Sequence, residues 1–98
     1  MNIFAFQSSL NHGAPPAAFS IPLQALWWDA KGDWRRAHAL IDELETPDAM
    51  AVHAYLHRKV GEEWNSDYWY KRAGRQHYRP ILEAEALALI EAMAERQT

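Results

Sequence analysis

The 98 residues, 49% hydrophobic and 23% charged, describe a single domain that can bury a core, and they exclude a chain disordered over most of its length. Without cysteine there is no disulfide, thiolate metal site or cysteine nucleophile. The net charge of -3 is uneven, because residues 58–79 carry six Lys/Arg against three Asp/Glu while each flanking segment is acidic, so the chain has no global attraction for nucleic acid.

Residues 1–19 read as an irregular N-terminal tail, broken by Gly13, Pro15 and Pro16, from which Ile3, Phe4 and Phe6 could still dock. Nothing at the start resembles a signal peptide, and no apolar run reaches the roughly 18 residues a membrane helix requires. A cytoplasmic protein is expected. Ser20 caps a first helix over residues 22–31, and Pro22 suits its first turn. Gly32 ends it and Asp33 caps a second helix, with Trp34, Ala37, His38, Ile41 and Leu44 on one stripe. Thr46 and Pro47 open a third helix that reaches residue 60 before Gly61 breaks it. A fourth covers residues 63–73, with Ser66, Trp69, Tyr70 and Ala73 on one face and Gly74 as its cap. A fifth, after Pro80, buries Leu82, Ala86, Leu89 and Met93, and the last two residues fray. No strand is expected. The fold class is all-α, with two antiparallel helix pairs and a C-terminal capping helix over residues 20–97.

The turn glycines Gly32 and Gly61 define a period of 29 residues. Small residues recur around them, Ala25 and Ala54 seven positions before and Ala37 and Ser66 five positions after, as close helix crossings require. The string Ala25, Trp28, Gly32-Asp33-Trp34, Ala37 resembles the tetratricopeptide repeat. That resemblance covers roughly residues 20–74, with a period shorter than that family's usual one and Leu44 where the first copy should have alanine. It implies stacked helix pairs whose first helices line a groove, here offering Leu26, Asp29, Ala51, Tyr55, Arg58 and Lys59. The strings around Trp28–Trp34, His53–Lys59 and Tyr68–Gly74 are also similar to those of a family of short microbial proteins with no activity attached.

Among chemical residues, His53 and His57 are spaced i,i+4 and share a helix face, so they could share a metal, with His38, Glu62, Glu63 or Asp67 to complete it. The intervening Ala, Tyr and Leu are not the zinc-protease pattern. The leading expectation is that both rings bond tyrosine hydroxyls or backbone, with no metal and no cofactor. Arg58, Lys59, Lys71, Arg72, Arg75 and Arg79, interleaved with Tyr68, Tyr70 and Tyr78, could form an anionic-ligand surface, against a simpler reading as a solvated face. Of five tryptophans, Trp28, Trp34 and Trp69 are expected in the core, whereas Trp27 and Trp64 lie off the packing faces and would touch the tail, the closing helix or a partner. Gly-rich phosphate loops and Gly-x-Ser-x-Gly elbows are absent.

These features predict a non-catalytic interaction module for an unknown protein or peptide, with a homodimer through Trp27, Trp64 or the N-terminal arm as a further option and neither membrane nor nucleic acid expected as a partner. The alternative is a small anionic-ligand binder or enzyme whose pocket gathers His53, His57, Arg58, Asn65, Asp67 and Tyr70.

Overall fold

In a computed structural model, which describes residues 1–75 and 80–97, helices begin where the sequence supplies capping oxygens. Ser20 Oγ accepts from the Leu23 amide, Asp33 Oδ1 from that of Arg36, and Thr46 Oγ1 from that of Ala49. Pro22 and Pro47 lie in first turns, where a missing N–H costs nothing. The helices are α1 (Ile3–Ser9), α2 (Ile21–Ala30), α3 (Trp34–Ile41), α4 (Pro47–Lys59), α5 (Glu63–Arg72) and α6 (Leu82–Glu95), with no strand among the described residues.

The all-α class therefore stands, but with six helices among the described residues instead of five. The additional one is α1, in the segment expected to be an irregular tail. Ile3, Phe6 and Leu10 recur at helical spacing, Asn2 Oδ1 caps the Ala5 amide at 2.9 Å, and the breakers Gly13, Pro15 and Pro16 fall beyond the helix. Phe6 is buried and stacks on Phe19 at 6.0 Å. Trp27 is completely buried beneath α1, its indole Nε1 donating to Ser9 Oγ at 3.1 Å. The tail is among the neighbours expected for Trp27, and its helix α1 is what covers the indole. Trp28, Trp34 and Trp69, expected in the core, are only half-buried, and Trp64 is 81% exposed. Gln97 does not fray. Its side chain accepts from the Ser20 amide at 2.5 Å and donates to the Ala18 carbonyl at 3.0 Å, and its carbonyl accepts from the Met1 amino group at 2.8 Å.

The tightest packing joins α2 to α3 and α4 to α5, while α4 also touches α2, α3 and α6. As the central helix, α4 is buried continuously from Ala49 to Leu56, which a helix with neighbours on most sides requires. The small residues Ala25, Ala37, Ala54 and Ser66 are all at 0% exposure, where side chains of this size let helix axes approach.

The turns at Gly32 and Gly61 close alike. Their φ values are +89° and +82°, and the next amide reaches back to a carbonyl in the last helical turn, Asp33 to Trp28 at 2.9 Å and Glu62 to His57 at 3.0 Å. A Cβ at Gly61 would meet nothing within 4 Å, so its cost is the left-handed backbone alone. Gly61→Ala is expected to destabilise the chain by about 1–2 kcal/mol in urea unfolding. An unchanged midpoint would contradict that conformation. No helix of the described residues is long and apolar enough to cross a membrane.

Candidate functional site

Three histidines meet between α3, α4 and the start of α5. His53 and His57 project from one face of α4, as their spacing dictates. His38 reaches them from α3, because the Trp34 indole one turn earlier donates to the Leu56 carbonyl of α4 at 2.8 Å and its ring stacks on His38 at 4.9 Å. The Nε2 atoms of His38 and His53 are 3.1 Å apart, and one ring nitrogen from each of the three histidines lies within 4.8 Å of the others. Asp42 Oδ1, just past the end of α3, is 3.7 Å from His38 Nε2 and 3.9 Å from His53 Nε2. Glu62 Oε1 accepts from His57 Nδ1 at 3.2 Å. Trp69 stacks on His53 at 4.2 Å and closes the inner side.

The expectation that these rings bond tyrosine hydroxyls or backbone is overturned: the polar contacts of His53 Nε2 are His38 and Asp42, and its buried Nδ1 has no partner. Burial, reinforced by His38 and His57 and opposed by Asp42, pushes the His53 pKa down to about 4. Burial likewise lowers His38, against the pull of Asp42. Both rings are therefore neutral at neutral pH, and a neutral imidazole has a lone pair to offer.

A second feature is a cleft of about 400 Å³ between α1, α2, α4 and α6, lined by apolar Ile3, Leu26, Tyr55, Leu82, Ala86 and Ile90 among others. Four of the six groove residues expected from the sequence, Leu26, Asp29, Tyr55 and Lys59, line it, while Ala51 is buried and, like Arg58, lies outside its lining. Asp29 is buried, with both carboxylate oxygens accepting from Lys59 Nζ at 3.0 and 3.1 Å. Burial and then the charges of Asp29, Glu85 and Glu83, with a hydrogen bond to Asp29, raise the Tyr55 hydroxyl well above its ordinary value, which marks the cleft floor as electronegative.

The six residues expected to form one ligand pocket are divided. His53 and His57 join His38, whereas Arg58 and Tyr70 turn to Glu85 of α6. Arg58 Nη1 donates to its Oε1 at 2.6 Å, and the Tyr70 hydroxyl lies 2.6 and 2.5 Å from its two oxygens. Asn65 is half-buried and Asp67 exposed on α5, and none of the six lines the cleft. Sequence reasoning missed Glu85, although its position three residues after Leu82 and four before Leu89 places it on the apolar stripe of α6. Burial and the Glu85 hydrogen bond and charge, with Arg58 opposing, raise the Tyr70 hydroxyl above its ordinary value. With Tyr55 and Tyr70 both raised, their contribution to stability is complete below the ordinary tyrosine pKa near 10 and is lost as pH climbs above it. Ultraviolet titration is thus expected to leave part of the tyrosine absorbance step to appear only with alkaline unfolding. A complete step in the folded protein near pH 10 would contradict the burial of both hydroxyls.

Three of the basic residues expected on one surface are held by carboxylates. Arg58 and Lys59 pair with Glu85 and Asp29, and Arg72 pairs with Glu45 at 3.1 Å while lying over the Tyr68 and Trp69 rings. Two further members expected there, Tyr78 and Arg79, lie outside the described residues. Comparison with protein-family models, with curated proteins and with solved structures finds no match.

Proposed function

We propose that the chain is a non-catalytic binding module that holds an apolar polypeptide segment carrying a basic residue in the cleft between α1, α2, α4 and α6. The observation that supports this reading is the convergence of Leu26, Asp29, Tyr55 and Lys59 on one concavity of about 400 Å³, a volume within the range of ligand sites. Apolar surface continues outward onto Leu87, which lines the cleft and is 43% exposed, as a polypeptide extending past the cavity would use. Lys59 neutralises Asp29, so exposed Glu83 leaves the lining net negative and complementary to a cation on the partner.

The finer architecture belongs to the same proposal. It takes the two helix pairs as a repeat of the tetratricopeptide kind with α6 as its cap, a reading that rests on the like turns 29 residues apart, and it takes the setting as cytoplasmic, which the lack of cysteine suits. The alternative of a small anionic ligand around His53 and His57 is the weaker reading, because Arg58, the cation expected in that pocket, is engaged by Glu85.

Selection of displayed random peptides on the full chain tests the proposal. The expected outcome is enrichment of apolar peptides with one Lys or Arg, lost on Ala30→Trp, which fills the cleft from an exposed lining position. Failure to enrich, or enrichment indifferent to Ala30→Trp in a folded variant, would overturn it.

A further inference from the structure

We propose that His38, His53, His57 and Asp42 form a binding site for one divalent transition-metal ion of the zinc class, separate from the cleft and independent of its function.

The first support is spacing. Two imidazole nitrogens bound at 2.0–2.1 Å to a tetrahedral ion stand roughly 3.3 Å apart. The Nε2 atoms of His38 and His53 already stand at 3.1 Å, and the widest separation in the trio, 4.8 Å at most, closes with modest ring rotations. Asp42 Oδ1 lies beside the same two nitrogens at 3.7 and 3.9 Å, which supplies an anionic fourth ligand.

The second support is the surrounding shell. A histidine that ligates through one nitrogen commonly donates its other N–H to a carboxylate, which fixes the tautomer and raises the basicity of the ligating atom. Glu62 stands in that relation to His57, accepting at Nδ1 and leaving Nε2 with its lone pair. Trp34 and Trp69 wall the rings on two sides by stacking. Asp42, its side chain 56% exposed, leaves an approach from solvent.

The third support is the donor set. Three imidazoles and one carboxylate select zinc-class ions over the hard, all-oxygen preference of Mg²⁺ and Ca²⁺.

With three histidines and Asp42 the ion is four-coordinate and closed, and it ties the end of α3 to α4, joining the two helix pairs. Its role is therefore that of a clamp.

The test is calorimetric titration of the untagged full chain with Zn²⁺, with Mg²⁺ as comparison. One Zn²⁺ per chain is expected at micromolar affinity or tighter, with no Mg²⁺ heat and with a higher Tm in the loaded protein. His38→Gln and Asp42→Asn are each expected to weaken binding at least about 10-fold, and Glu62→Gln, a positioning change, about 10- to 100-fold. Asp42 and Glu62 are exposed, so these variants fold even if a histidine variant does not. In NMR, the ring signals of His38, His53 and His57 should shift with Zn²⁺ while those of exposed His12 do not. Absence of saturable binding, or a one-to-one site that survives both Asp42→Asn and His38→Gln, would overturn the assignment.

Discussion

Replacing Glu85 with alanine is expected to destabilise the chain by about 3–5 kcal/mol, the usual cost of removing one member of a buried ion pair. Glu85 is 2% exposed on the core side of α6 and gathers a charged donor from α4 and a hydroxyl from α5, so its loss unties three helices at once. The Arg58 side chain keeps some contact with water and can recover part of its solvation, whereas the Tyr70 hydroxyl, on a residue at 0% exposure, cannot. Tyr70→Phe keeps the Arg58–Glu85 pair and removes one hydrogen bond to a charged acceptor, so it is expected to cost about 1.5–3 kcal/mol. Because the three side chains act as a unit, Glu85→Leu combined with Tyr70→Phe should cost less than the two changes summed. Urea unfolding of the wild type, Glu85→Ala, Glu85→Leu, Tyr70→Phe and the double variant measures all of this, and a loss below about 1 kcal/mol for Glu85→Ala would contradict the triad.

Trp27→Ala is expected to cost a comparable 3–5 kcal/mol or so, and with a different signature. Trp27 is the largest completely buried side chain and stands between the helix-pair core and α1, to which its indole is hydrogen bonded through Ser9. Removing it opens a cavity and detaches the short α1, which has only seven residues and cannot persist as an isolated helix. Amide exchange across residues 3–9 should rise to the level of an unstructured segment while α4 keeps its protection. Full protection of α1 in the variant would show that α1 is held by something other than Trp27. Ser9→Ala, which leaves the indole N–H unpaired in the core, is expected to cost about 1–3 kcal/mol.

Much of the helical framework was legible locally. Ser20, Asp33 and Thr46 cap helices as read, Gly32, Gly61 and Gly74 take positive φ, and the small residues chosen for close crossings are the buried ones. These properties depend on neighbours within a few residues, which a sequence displays. What was not legible depends on partners far along the chain. The tail was legible as a neighbour of Trp27, but not that it forms a helix there and buries the indole completely, 18 residues away in sequence. Glu85 was passed over because a carboxylate on an apolar stripe makes sense only once Arg58, 27 residues away, is seen to face it. The i,i+4 pair His53 and His57 was visible, but only the anchoring of Trp34 to the Leu56 carbonyl brings His38 against them. The cleft residues were named from one wall, and the opposite wall comes from α1 and α6, which the repeat register does not reach.

The binding role of the cleft is tested most directly by amide chemical-shift mapping of the full chain titrated with a display-selected apolar peptide bearing one basic residue. The expected result is saturable shifts concentrated at Leu26, Asp29, Tyr55, Ala86, Leu87 and Ile90, abolished in the Ala30→Trp variant. Shifts centred instead on the exposed Trp64 and Tyr68 of α5, with the cleft amides unmoved, would contradict it and place binding on α5.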